Sequence, residues 1–265
     1  VSIYARFAPE SKYLKHLVLG VSAVAIFCFF ILSFQYANEI KVCKSCPVKT
    51  IQAAIEIADS GQIICVEKGI YKEHDIIINK GVSIQGEGLP TIDIDRKGYG
   101  IKIKANGVSI SGLKLINVGQ SFTKDYASIY LSHCKNFNIT DMVLNNVFFG
   151  ILVEKSHHGI IKGNKVSSSA INEASSGNGV HMWHSSYITV ENNELSGLRD
   201  GIYFEFVTHS KIIKNLSHNN LRYGLHFMFS NNDEYHYNEF YENGAGVAVM
   251  FSKFINMTHN TFRKN

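Results

Sequence analysis

Gly179-Val-His-Met-Trp-His-Ser185, Gly201-Ile-Tyr-Phe-Glu-Phe-Val207, Gly224-Leu-His-Phe-Met-Phe-Ser230 and Gly246-Val-Ala-Val-Met-Phe-Ser252 decide the fold. Their glycines fall 22, 23 and 22 residues apart, and Asn193, Asn215, Asn238 and Asn260 keep step at the same spacings. A fixed period of this size marks stacked supersecondary units. The units read as strands, because each alternates, is rich in aromatic and β-branched residues, and is bounded by Gly, Asn, Asp and Ser. Short strands with Asn/Gly corners at this period predict a single-stranded parallel β-helix of ~22-residue coils, each stacked at the roughly 4.8 Å spacing of neighbouring strands. Crossovers between parallel strands are right-handed in nearly all cases, so a right-handed solenoid is expected. Asparagines one coil apart can then stack and bond the buried turn backbone, a structural role for that ladder.

Working outward, the same pattern runs back through strands at 150–153, 128–131 and 100–103 to about residue 62. Ser128 to Gly150 is again 22 residues, but Gly150 to Gly179 is 29, so one coil carries about seven extra residues. The polar run 167–178 is the expected bulge. Ahead of the coils, residues 50–59 place apolar side chains at helical spacing, with Thr50 as N-cap and Gly61 beyond the end. A helix there would cover the open apolar end of the first coil.

Cys43-Lys-Ser-Cys46-Pro47 precedes it, readable as a short-loop disulfide in an oxidising compartment or as a soft metal-binding pair. Residues 17–34 contain no charge, and the preceding stretch is basic, with Arg6, Lys12 and Lys15 against Glu10. The expected organisation is therefore a cytoplasmic basic segment over 1–16, a transmembrane anchor or signal over 17–36, a linker over 37–47 and the β-helix over 48–265. The β-helix pattern stops at Asn265 without a cap and is expected to be incomplete on that side. With 265 residues and a dispersed net charge of +4, the composition gives no support to nucleic-acid binding.

Alternation also sorts the side chains. Taking first, third and fifth residues after each glycine as the core face buries Val180, Met182, His184, Ile202, Phe204, Phe206, Leu225, Phe227, Phe229, Val247, Val249 and Phe251. The second and fourth then face outward: His181 and Trp183, Tyr203 and Glu205, His226 and Met228, Ala248 and Met250. Stacking would set Glu205, Met228 and Met250 in one column and His181, Tyr203 and His226 in the next. Thioether and imidazole together suit Cu(I) and do not suit Mg or Ca. An outward Met/aromatic/Arg face equally suits a protein partner, with Trp183, Tyr203, Arg199 and Arg222 as its contacts. A carbohydrate-active enzyme on this fold would need convergent acids, and this face offers only Glu205 across four coils.

The segments 175–185, 198–206, 221–231 and 244–252, together with Thr50-Ile-Gln-Ala-Ala-Ile55, resemble the NosD proteins. His-Met-Trp-His and Gly-Leu-His-Phe-Met go beyond the Gly and Asn that any such solenoid shares. The resemblance implies a periplasmic β-helix, not itself an enzyme, that serves maturation of nitrous oxide reductase. Such a protein would work with an ABC-type ATPase and permease, receive copper from a membrane-anchored copper chaperone, and pass it on to the reductase. Under it, the expected Cu(I) ligands are His181, His226, Met228 and Met250, with Glu205 beside them. The alternatives are a metal-free docking scaffold for reductase and transporter, and a carbohydrate-active β-helix enzyme.

Overall fold

The computed structural model describes residues 39–121 and 123–265. The expected anchor or signal over 17–36 and the basic segment before it lie outside these residues. Among the described residues no helix is long and apolar enough to cross a membrane.

The chain winds through three parallel sheets in repeated order. Sheet I gathers ten strands, among them Lys135–Thr140, His157–Lys162, Ser186–Glu191 and Lys211–Ile213. Sheet III gathers nine, including Val143–Asn145, Lys165–Ser167, Glu194–Ser196 and Leu216–His218. Sheet II gathers eight, ending with Phe149–Glu154, Val180–Trp183, Asp200–Glu205, Tyr223–Met228 and Ala245–Met250. Every strand pairs in parallel with its counterpart one coil away, for example Ile202 with Val180 and with Leu225. The parallel β-solenoid read from the period is therefore the fold.

Inside, each sheet contributes one column of apolar side chains. Met182, Phe204 and Phe227 are consecutive partners on sheet II, facing Val190 and Ile212 of sheet I and Leu195 of sheet III, all fully buried. The repeated glycine opens each sheet II strand because there is no room for a side chain. A Cβ on Gly224 would lie 2.6 Å from Phe240 Cδ1 and 2.7 Å from the Gly246 carbonyl oxygen.

The asparagine ladder closes the corner between sheets I and III. Asn215 Oδ1 accepts from the Asn193 backbone N–H and side-chain amide, both at 2.9 Å. Asn215 Nδ2 donates to the Val190 carbonyl at 2.9 Å and to Asn238 Oδ1 at 3.0 Å. The ladder extends one coil further back than the period suggested, to Asn164. A second ladder, Asn220, Asn243 and Asn265, serves the corner between sheets III and II.

The helix α1 (Ile51–Ile57) is capped by the Thr50 hydroxyl, which accepts from the Ala53 N–H at 3.2 Å. The Glu73 carboxylate takes the N–H groups of Ile51 and Gln52, a cap the sequence did not announce. The bulge runs between Ser167 and Val180, with a single 3-10 turn at Glu173–Ser175.

One part of the face assignment is corrected. His184, Phe206, Phe229 and Phe251 are not core: Phe206 is 39% and Phe251 75% exposed. Sheet II strands end one residue earlier, and these residues sit at the next corner with φ of 47°, 53°, 50° and 50°. Left-handed backbone interrupts the alternation, so the following Ser185, Val207 and Ser230 turn inward instead. Val249 also departs from the core reading, being 47% exposed. The displaced rings stack outside, His184 on Phe206 at 4.6 Å and Phe206 on Phe229 at 5.1 Å.

Two predictions follow from this packing. Asn215→Ala strips partners from several buried groups, each worth about 1–3 kcal/mol; chemical denaturation should show a loss of at least about 3 kcal/mol, and a near-neutral value would contradict the ladder. Asp233 is 1% exposed, with Oδ1 accepting from the Ser210 N–H at 2.8 Å and Oδ2 unpartnered. Burial pushes its carboxyl up to about 7, against the Ser210 bond. A folded-state value raised above the unfolded one favours the protonated native form, so this contribution is full below about pH 4 and lost as pH rises through 7. Asp233→Asn should flatten that decline and stabilise the protein at pH 8 by up to about 4 kcal/mol, read as Tm against pH beside the wild type.

Candidate metal-handling face on sheet II

The outer face of sheet II carries two columns in strict register. Leu152, His181, Tyr203, His226 and Ala248 are consecutive partners, and so are Glu154, Trp183, Glu205, Met228 and Met250. The parallel ladder fixes these neighbours, since each pair belongs to adjacent coils about 4.8 Å apart.

Within the columns the residues separate into two groups. The Tyr203 ring lies between the imidazoles, 4.7 Å from His181 and 4.6 Å from His226, the latter pair stacked. His181 and His226 are thus two coils apart with an aromatic plate between them. On one side, His181 Nε2 is 3.7 Å from Glu205 Oε2, an ion-pair separation beyond hydrogen-bonding reach. The His181 imidazole holds the Glu205 carboxyl below the usual carboxylate range, against partial burial. His181 Nδ1 lies 3.4 Å from the Asn178 amide, whose oxygen accepts from Arg199 Nε at 3.2 Å. Burial and the Glu205 charge push Tyr203 up to about 12, so it stays a neutral phenol.

On the other side, His226 is 2% exposed. Its Nδ1 lies 3.4 Å from Arg222 Nη2 and 3.8 Å from Asp200 Oδ2. Asp200 is completely buried and held by Arg222 through both oxygens at 3.2 Å and by the Tyr223 N–H at 3.3 Å. Arg222 also reaches Glu173 of the bulge at 3.4 Å, and Arg199 lies 4.0 Å from Asp200. Arg199 and Arg222 are therefore half-buried structural cations, while Trp183 is half-buried with Lys155 5.0 Å above its ring. Met228 and Met250 are adjacent and half-buried. The position paired with His226 on the next coil is the small Ala248, beside the paired Met228 and Met250.

The Nε2 atoms of both His181 and His226 are buried without a hydrogen-bond partner. A buried nitrogen left open beside thioethers fits a soft cation as donor set. Sequence reasoning missed the depth of Asp200 and the bulge contacts of Glu173 and Asn178. Their one signal was the Arg-Asp-Gly and Arg-Tyr-Gly corners spaced a coil apart. A cleft of 550 Å³ beneath the bulge, lined by Arg96, Gln120, Phe148 and Leu198 among others, includes none of the candidate ligands.

Among the described residues, the three acidic or His/Cys donors that converge most closely are Cys43, Cys46 and Glu67. Cys43 and Cys46 form a disulfide, as the exported-linker reading anticipated.

Residues 163–265 match the family NosD, described as a periplasmic copper-binding protein. The likeness read from the sequence is thereby shown over that segment, which contains all five candidate ligands. No curated protein matches the chain in sequence. Solved structures share the solenoid at low identity. A surface adhesin of Streptococcus pneumoniae matches with TM-score 0.66 and 12% identity, over 80% of this chain and 66% of that one. The A-module of a mannuronan C-5 epimerase of Azotobacter vinelandii matches with 0.53 and 13%, over 78% and 71%. An alginate lyase of Paenibacillus sp. matches with 0.53 and 10%, over 86% and 97%. At these identities the likeness concerns the fold alone.

The Asp200 anchor yields a prediction. Asp200→Ala takes two charge-assisted hydrogen bonds from the half-buried Arg222, which keeps its Glu173 contact, and should cost about 1.5–3 kcal/mol. Denaturation should show that loss, whereas Glu173→Ala, at an exposed pair, should cost under about 1 kcal/mol.

Proposed function

With residues 163–265 of the NosD family as premise, we propose that this protein is an accessory that carries copper on the outer wall of its solenoid and hands it on. The observation that supports this most directly is a buried His226 Nε2 without a hydrogen-bond partner on the same strand as Met228, with Met250 paired to Met228 one coil on. These three are the donors that would hold Cu(I) as cargo, a soft ion suited to imidazole and thioether. His181 and Glu205 lie across Tyr203 and would act as neighbours to that site.

His226 has a donor, Arg222, and an acceptor, Asp200, beside Nδ1. Arg222 can only donate, so its contact occupies the Nδ1 lone pair and leaves the imidazole proton on Nε2, which a bound cation would have to displace. Arg222, held by Asp200, aims the side chain, and Tyr203 stacks on its ring.

We infer further that the protein works in the periplasm, with residues 17–36 as membrane anchor or export signal. Its partners would be an ABC-type ATPase and permease, a copper chaperone as donor, and nitrous oxide reductase as acceptor. ATP hydrolysis would belong to the partners, since this sequence has no Gly-Lys-Ser/Thr phosphate loop. Trp183 and Tyr203 would meet the acceptor, and the half-buried Met228 and Met250 would be the donors it reaches first. No catalytic step is assigned to this chain.

The test is a Cu(I) competition titration of the full chain in ascorbate, which leaves the Cys43–Cys46 disulfide intact. A His226→Ala/Met228→Ala/Met250→Ala variant should lose at least the ~10–100-fold in affinity that outer-shell changes alone cost. Wild-type affinity in that variant, with the fold intact by circular dichroism, would remove these ligands. Absence of Cu(I) binding by the wild type would favour the metal-free docking scaffold.

A further inference from the structure

The copper reading leaves the Cys43-x-x-Cys46 pair unused. Cys43 directly follows the edge strand Glu39–Val42 of sheet I and is buried. A tight turn returns the chain, with the Cys46 N–H donating to the Cys43 carbonyl and the Cys43 N–H to the Val48 carbonyl, both at 3.3 Å. Both sulfurs and a Glu67 carboxylate oxygen lie within 4.8 Å of one another.

Glu67 does not reach this place by chance of a flexible loop. Its backbone N–H donates to the Val42 carbonyl at 3.0 Å. The Tyr71 hydroxyl lies 3.1 Å from that carbonyl and 2.8 Å from the carbonyl of Glu67. Val42 itself is fully buried in the core. Cys43, through Val42, and Glu67, through its own backbone, are thus fixed to the first coil.

Two sulfurs and a carboxylate converging on one point are the donors of a zinc site with a position left for water. A carboxylate is a poor ligand for Cu(I), so the set differs in kind from the Met/His face. In the oxidised chain the sulfurs are spent in their mutual bond. We propose that Cys43, Cys46 and Glu67 form a metal site that opens when the disulfide is reduced and takes one Zn(II).

The steps balance as follows. A dithiol reductant gives two electrons and two protons to the Cys43–Cys46 bond, producing two thiols, and is itself converted to its disulfide. Zn(II) then displaces the two thiol protons to solvent as it takes both sulfurs and the Glu67 carboxylate. Reoxidation by any disulfide of higher potential breaks both Zn–S bonds and releases the ion. The site would therefore report, at the first coil, the thiol–disulfide poise of its compartment. This inference does not depend on the copper reading.

The experiment uses the full chain, reduced with dithiothreitol, desalted without oxygen, and titrated with Zn(II) against a chromophoric chelator. One equivalent should bind to the reduced chain and none to the reoxidised chain. Co(II) in place of Zn(II) should show thiolate charge-transfer absorption. Cys43→Ser/Cys46→Ser should abolish both signals. Glu67→Gln, which keeps the disulfide and the shape, should weaken Zn(II) at least about 10-fold while leaving far-ultraviolet circular dichroism unchanged. Equal binding by reduced and reoxidised chains overturns the proposal. So does full affinity in Glu67→Gln, which would mean a two-sulfur site without the carboxylate.

Discussion

Everything on this molecule's surface is positioned by a hydrogen bond that never reaches the surface. A parallel coil must turn three corners, and each corner buries backbone N–H and carbonyl groups with no strand partner. An inward asparagine answers both needs at once, because its amide carries an acceptor and two donors. Asn215 bonds the corner of its own neighbourhood through Val190 and Asn193 and passes a further bond to Asn238. Such a chain of bonds tolerates no slip: a shift of one residue would remove every partner together and reverse every face. Serines do similar work at the corner leaving sheet II, where Ser230 Oγ accepts from the Val207 N–H at 3.1 Å.

The outer face inherits that precision. Residues some 22 positions apart become neighbours one coil apart, so side chains unremarkable in the linear sequence meet as columns. Register alone would crowd every member of a column against the next. Chemistry then decides which meet and which are kept apart. Tyr203 is large, neutral and flat, and it turns one run of His181 and His226 into two environments. Ala248 does the opposite and opens space where another ring would have closed the column. Asp200, buried beneath, supplies charge to Arg222 and thereby fixes the base of the His226 strand to the bulge.

The period, the inward asparagines, the Thr50 cap, the seven-residue bulge and the pairing of Glu205 with Met228 and Met250 could all be read from spacing, because they are consequences of repetition. What could not be read lies where repetition gives way to local backbone. Strict alternation assigned His184, Phe206 and Phe229 to the core, but a corner in left-handed conformation sends them outward. Non-glycine residues in that conformation cost free energy, and no residue type there announces it. The ladder Asn220–Asn243–Asn265 keeps the same spacing, but the coil that opens at Gly179 has Leu198 at the corresponding position, so the repeat of asparagine is broken there. The burial of His226 depended on Arg222 and Asp200, whose contact depends on which way each corner side chain leans. The columns were thus legible, while their division by the Tyr203 ring was not.

A site assembled this way has a property that follows from the solenoid rather than from the ligands. In stacked repeats each coil contacts only its neighbours, and stability is close to a sum of coil and interface terms. His226 and Met228 belong to one coil and Met250 to the next. The thioether pair therefore exists only while the Tyr223–Met228 and Ala245–Met250 strands remain stacked, five paired positions apart from side-chain contacts. A partner that docks on the second coil and shifts it relative to the first changes the donor number without touching the first. A closed cage within one loop would have to unfold to do the same. An outer wall built from single donors on successive coils thus couples ligand number to docking, which is the physical requirement for passing a metal on rather than keeping it.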